Sequence, residues 1–230
     1  MTKTVIGKSF LSPEEGLGGL AWVRGEIWTA SAKNMQIFRL KPKVAGKYLV
    51  AGRIPSPSKN IAGLAWDGQQ FYVADRLEKV ILRVKPDTGQ AFPALDLQKL
   101  DPAGMPLVFR VKGSEVTDIA WGKGLLWVTC MAGYSSSVYA IDVQTQRVVR
   151  HFRARGPQPE GISFDHREEY FWTLDASNRE FSQFTPQGEW TEEELPSPIA
   201  RPTTLALDDQ DTFWTVDRNT KQVVQVLRED

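Results

Sequence analysis

Five times in 230 residues the chain returns to an apolar triplet, a short polar turn and a second apolar stretch carrying Trp or Tyr. The copies are Leu20-Ala21-Trp22 with Ile27-Trp28-Thr29, Leu64-Ala65-Trp66 with Phe71-Tyr72-Val73, Ile119-Ala120-Trp121 with Leu126-Trp127-Val128, Ile162-Ser163-Phe164 with Phe171-Trp172-Thr173, and Leu205-Ala206-Leu207 with Phe213-Trp214-Thr215. The second-strand aromatics are 44, 55, 45 and 42 residues apart. A repeat of this length means that each copy is one supersecondary unit, which buries its apolar faces only against its neighbours. Short runs rich in β-branched and aromatic residues, bounded by Gly, Asp or Asn, read as hairpin-linked strands.

A third strand follows in each copy, such as Val80 to Val84 or Val223 to Leu227, then turn residues such as Lys85-Pro86-Asp87-Thr88-Gly89, then a more polar fourth strand such as Lys47 to Ile54 or Arg147 to Arg155. Four antiparallel strands per unit of about 40 to 50 residues make a β-propeller blade, so the sequence predicts an all-β, five-bladed propeller. The expected organisation is one domain over 1–230, with blades at 15–59, 60–114, 115–157, 158–200 and 201–230. The last unit has only 30 residues, and the 14 residues ahead of Glu15 restore it to 44. Thr4 to Leu11 is therefore expected to supply its outer strand and close the ring, leaving no orphan edge.

Composition limits the partners. Lys+Arg 28 balances Asp+Glu 28, so no overall field favours nucleic acid or an anionic membrane. Arginines and His151 in the strand Arg147 to Arg155 read as charge protecting an exposed edge, not as a phosphate stripe. One cysteine, Cys130, and two histidines, His151 and His166, cannot form a disulfide or a Cys/His zinc site, and no metal site is assigned. No apolar run reaches membrane-span length or forms a signal h-region, and a cytoplasmic location is the expectation.

Seven of the eight tryptophans fall at repeat positions and are expected to pack between blades; Trp190, beside Glu192-Glu193-Glu194, is the exception. Asp75, Asp175 and Asp217 end second strands and are read as acceptors for turn amides. The second blade carries about ten extra residues around Ala91 to Val111, where Met105, Leu107 and Phe109 form a candidate partner contact. First strands surround the channel of a propeller, so residues four and two positions before each triplet are expected at its mouth. These include Asn60, Glu115, Thr117, Glu160, Arg201 and Thr203, and converging polar groups of both signs suit an anionic or zwitterionic small ligand. No G-x-S-x-G segment or placed Cys/His pair indicates a hydrolase.

The segments Asn60-Ile61-Ala62-Gly63-Leu64-Ala65-Trp66-Asp67-Gly68 through Asp75, and Pro159-Glu160-Gly161-Ile162-Ser163-Phe164-Asp165 through Asp175, resemble the blades of NHL, YVTN and SMP-30-like propellers. The Gly-His and Trp-Asp pairs of WD40 blades do not recur. Resemblance to SMP-30-like lactonases implies a divalent cation such as Ca²⁺ at the channel mouth, with Glu15, Asn60 and Glu160 in comparable places, although those proteins commonly have six blades. Glutamine cyclotransferases are similar in blade number, and Glu15-Gly16-Leu17 is similar to their Gln-Gly-Leu segment. The reading reached is a non-catalytic scaffold that binds a protein partner or a small ligand, with no cofactor assigned. The alternative is a lactonase or cyclase using carboxylates at the channel mouth.

Overall fold

The computed structural model describes residues 3–42 and 48–229. Its strands form five four-stranded antiparallel sheets arranged as a five-bladed propeller. Blade 1 contains β2 (Leu17–Val23), β3 (Glu26–Ser31), β4 (Gln36–Pro42) and β5 (Tyr48–Pro55). Lys47, expected to begin the fourth strand, lies outside the described residues. Blade 2 contains β6 (Ile61–Trp66), β7 (Phe71–Asp75), β8 (Val80–Val84) and β9 (Ala91–Asp96). Blade 3 is β10 (Glu115–Gly122), β11 (Leu125–Ala132), β12 (Ser135–Asp142) and β13 (Arg147–Arg153). Blade 4 is β14 (Pro159–Phe164), β15 (Phe171–Asp175), β16 (Glu180–Phe184) and β17 (Trp190–Pro196).

The last blade holds β18 (Pro202–Leu207), β19 (Phe213–Asp217) and β20 (Gln222–Glu229), and its outer strand is β1 (Lys3–Leu11). β1 runs antiparallel to β20 from Lys3 opposite Glu229 to Leu11 opposite Gln222, with a register shift between Ile6 and Ser9. The ring is thus closed within one sheet by the two ends of the described chain, as the short last unit predicts.

Each of five apolar clusters is shared by neighbouring blades, which is why strands buried on both faces carry apolar residues in succession. At the closing interface, Leu20 and Phe38 of blade 1 meet Trp214 and Val223 of blade 5, with Phe10 of β1 packed against them. Trp127, Trp172 and Trp214, all on second strands, are fully buried. Trp190 is partly exposed, and the Arg155 guanidinium of the preceding blade lies 4.0 Å from its ring centre while pairing with Glu194 at 2.8 Å, a cation–π contact that bridges blades 3 and 4. Among the described residues no helix is long and apolar enough to cross a membrane.

The extra segment of blade 2 corrects one expectation. After β9 it makes two short 3₁₀ turns, Leu97–Lys99 and Val108–Arg110, and Phe109 is buried with its ring 4.4 Å from that of Tyr139. Tyr139 Oη donates to Pro106 O and accepts from Val108 N, both at 2.9 Å, while Lys79 Nζ donates to Phe109 O at 3.0 Å. Met105 and Leu107 are half-buried against the same cluster. Clustered apolar residues that look available in sequence are here the plug of the blade 2–blade 3 interface.

Candidate ligand site at the channel mouth

Every inner strand carries an irregularity at the same point. The register against the second strand shifts between Leu17 and Gly19, Ile61 and Gly63, Val116 and Asp118, Pro159 and Gly161, and Thr203 and Ala206. A bulge inserts a residue that the partner strand does not match, and so re-aims side chains. In blades 3 and 4 the unmatched residues are Thr117 and Glu160.

The residues just before the triplets meet around the axis: Gly19, Gly63, Asp118 and Gly161, which follow the bulge, and Thr204, which lies within it. A Cβ on Gly63 would lie 2.5 Å from both Asp118 Oδ1 and Ile119 N, and one on Gly19 would lie 2.5 Å from Leu64 N, so both positions require glycine. The Asp118 carboxylate fills the space these residues leave. Its Oδ1 accepts from Ile119 N at 2.9 Å, and its Oδ2 accepts from Ile162 N and Leu205 N at 3.1 Å and from Thr204 Oγ1 at 3.2 Å. Thr204 Oγ1 in turn accepts from Leu20 N at 3.0 Å, extending the network to blade 1. Thr204 takes a φ of 55°, unusual for a β-branched residue and held by these contacts. Complete burial pushes the Asp118 carboxyl well above the usual carboxylate range, and the hydrogen bonds it accepts pull it partly back.

Above this layer, where the inner strands begin, lies a charged network centred on Glu160, which is 4% exposed. Arg218 Nη2 donates to Glu160 Oε2 at 2.9 Å and to Thr203 Oγ1 at 3.0 Å, and Thr203 Oγ1 donates to Glu160 Oε2 at 3.3 Å. Arg76 Nη2 lies 3.6 Å from the same carboxylate, and Arg76 Nη1 donates to Glu115 Oε2 at 3.1 Å. Side chains of blades 2, 3, 4 and 5 thereby join in one chain of alternating charge. Arg76 and Arg218 directly follow second-strand aspartates whose Oδ1 atoms accept turn amides, from Leu77 and Glu78 in one case and Asn219 in the other.

The remaining expected residues are placed variously. Thr117 Oγ1 lies within hydrogen-bond reach of Pro159 O in the next blade and of Thr129 Oγ1, an inter-blade tie. Asn60 is half-buried; its N–H donates to Ser58 Oγ at 2.9 Å and its carbonyl accepts from Arg76 N at 2.8 Å. Arg201 is exposed, lying just ahead of β18, and only its carbonyl meets the network, accepting from Arg218 N at 3.0 Å. The guanidinium that meets a carboxylate at the mouth is that of Arg218, not of Arg201. Both arginines at the mouth follow second strands, outside the first-strand positions, and their signal in the sequence is Asp75-Arg76 and Asp217-Arg218, two Asp-Arg pairs at one repeat position.

The donors compared with those of the lactonases do not fit a divalent cation. Glu160 is held by two guanidinium groups and Glu15 by Lys33 and Lys221, whose charges repel a dication and hold the Glu15 carboxyl below its usual range. Among the described residues no group of three or more His, Cys, Asp and Glu is placed to bind a metal. Cys130 is fully buried, which pushes its thiol up and away from nucleophilic use.

No known family's sequence profile matches the chain, and no curated protein matches it in sequence. Solved structures do share its fold. A glutaminyl cyclase of Myxococcus xanthus superposes with a TM-score of 0.71 at 12% identity, covering 99% of this chain and 97% of that one. A nidogen/laminin complex gives 0.59 at 16% identity over 98% and 89% of the two chains. A virginiamycin B lyase of Staphylococcus aureus gives 0.57 at 16% identity over 100% and 88%. At such identities the likeness is one of fold.

Proposed function

We propose that the chain is a non-catalytic binding scaffold, grouped on its blade sequences with the NHL, YVTN and SMP-30-like propellers and placed in the cytoplasm. Its channel mouth receives a small anionic or zwitterionic ligand, or the carboxylate of a protein partner. One observation carries this reading: the Glu160 carboxylate is clamped between Arg218 and Arg76. A carboxylate so paired is a poor general base, while a guanidinium pair is ready to exchange that internal anion for one on a ligand. Solved propellers of this fold in protein complexes, such as the nidogen/laminin one, are consistent with partner binding.

A thermal-shift screen of carboxylate-bearing and zwitterionic metabolites against wild type and Arg218→Ala tests the reading. The expected outcome is a compound that raises the wild-type Tm and leaves the variant unmoved; equal shifts in both, or none in either, exclude the arginine site. The enzyme reading rests on Glu160, a nearly buried carboxylate that a bulge directs to the mouth. It predicts turnover of a glutaminyl peptide or a lactone that Glu160→Gln abolishes, and turnover of that kind overturns the scaffold proposal.

A further inference from the structure

Zero net charge conceals an uneven distribution. Strands alternate in direction, so the links from second to third strands and from fourth to inner strands all lie at the mouth end. Among the described residues these links carry twelve Lys and Arg against four Asp and Glu, whereas the links at the opposite end, around Trp22, Trp66 and Trp121, carry four against nine. The mouth end is thus basic and the indole end acidic, a polarity that steers charged partners although the totals cancel.

Much of the basic charge is uncommitted. Lys33 and Lys221 pair with Glu15, Lys99 with Asp96 and Arg155 with Glu194, and Arg76 and Arg218 hold the carboxylates of the mouth. Lys59, Arg110, Lys112, Arg179 and Arg201 are exposed, and none of them forms an ion pair among the described residues. The Arg110 guanidinium donates to the carbonyls of Gln98 and Leu100 at 3.0 and 2.9 Å, which fixes its position and leaves its charge unneutralised.

Exposed apolar side chains are distributed as unevenly. Of eleven large ones, six lie within outer strands; the other five, Leu11, Met35, Leu77, Val111 and Tyr134, are all at the mouth end, and none lies in a described link of the opposite end. Met35, Leu77 and Tyr134 occupy the turns between second and third strands of blades 1, 2 and 3, and Val111 the link from blade 2 to blade 3. Lys59 lies between Met35 and Leu77 along this rim, and Arg110 and Lys112 flank Val111, so apolar and basic groups alternate along an arc over three consecutive blades. Leu77 is 58% exposed and Tyr134 90%. Large apolar groups gathered in one place at the surface mark a contact region. The insertion of blade 2 builds the middle of the arc: Phe109 is its plug, Arg110, Val111 and Lys112 are left outside, and the bond from Lys79 to Phe109 O ties it to the turn that carries Leu77.

We propose that the arc from Met35 to Tyr134 docks an acidic segment of a partner protein, its carboxylates meeting Lys59, Arg110 and Lys112 and its aliphatic side chains meeting Leu77 and Val111. The inference rests on the partner form of the reading above and names what that partner carries. Complementary charge steers the encounter and fixes the register, while the apolar contacts exclude water. A polypeptide supplies both kinds of group. Nucleic acid supplies the charge but stacks its nucleobases on aromatic platforms, and the arc offers one ring, that of Tyr134.

The test selects binders of the full chain from a random dodecapeptide phage library and titrates the strongest of them, fluorescently labelled, against variants. Selected peptides are expected to be enriched in Asp and Glu together with Leu, Ile or Val. Affinity is expected to fall about ten-fold or more in Leu77→Ser/Val111→Ser and in Lys59→Glu/Lys112→Glu, to weaken as salt is raised, and to stay unchanged in Val149→Ser, whose exposed side chain lies on the outer strand β13. All the substituted side chains are exposed, so the fold tolerates their loss. No enrichment, enrichment without acidic residues, or full affinity in both arc variants overturns the proposal. Co-sedimentation with phosphatidylserine vesicles, or self-association of the chain, that the arc variants abolish while no peptide is selected overturns it as well. Arg218→Ala separates the arc from the reading it rests on: affinity lost in the arc variants alone keeps the arc and removes the arginine clamp, and affinity lost in Arg218→Ala alone keeps the clamp and removes the arc.

Discussion

Asp118 shows how one residue can organise five blades. Three backbone N–H groups and one hydroxyl converge on it from blades 3, 4 and 5, and all are donors to a group the solvent does not reach. Burial raises its folded-state pKa above the unfolded value of about 4. The stability this contributes is therefore complete below pH of about 4 and is lost as pH rises through the folded-state pKa. Asp118→Asn removes the titration and turns an amide N–H toward donors, costing about 1–3 kcal/mol. The variant should be less stable than wild type at low pH, with the gap in Tm narrowing as pH rises; thermal melts between pH 3 and 8 give the answer, and a gap constant across that range would show that Asp118 does not titrate there. This residue was legible but unread. The positions before the triplets run Gly19, Gly63, Asp118, Gly161 and Thr204, and the one carboxylate among three glycines marks the axis. Counting back in steps of two, as strand alternation advises, passes over it, because a bulge in every blade breaks that alternation.

The strands themselves were readable because each carries its own apolar pattern and the pattern recurs. The closure by β1 followed from length alone, a short last unit and a leading segment of the missing size. Removing residues 3–11 should leave the β20 edge and the rings of Trp214 and Tyr48 without Phe10, which packs 4.0 Å from Tyr48. An unpaired edge of this kind recruits other chains, so the truncated protein is expected to melt at lower temperature and to run as oligomers in size-exclusion chromatography. A monomer with an unchanged melt would make β1 a dispensable arm. Harder to read was the insertion in blade 2. Nothing in the spacing of Met105, Leu107 and Phe109 tells a contact surface from a plug, since the deciding partner, the Tyr139 hydroxyl, lies 31 residues from Val108 and 33 from Pro106 along the chain.

Five repeats around one axis give the molecule two chemically unlike ends, and the Asp118 layer lies between them. At one end the groups are guanidinium and carboxylate, engaged with one another; at the other they are indole rings and aspartates. Coupling between such sites needs an element with two arrangements that both ligands bias. The layer offers none: it is closed by glycine contacts that leave no room for a methyl group and by an aspartate whose two oxygens are both engaged, and packed interiors of this kind transmit strain but do not deform smoothly. The two ends should therefore act independently. Trp66→Leu, at the indole end, is expected to leave the affinity of any carboxylate ligand of the opposite mouth within about two-fold of wild type, read by isothermal titration. A coupling free energy of 1–3 kcal/mol, the usual range for allosteric proteins, would mean that the Asp118 layer has a second arrangement. Repeating the titrations in Asp118→Asn would locate it: coupling that disappears with the carboxylate places the switch at the axis, and coupling that persists places it in the blade interfaces.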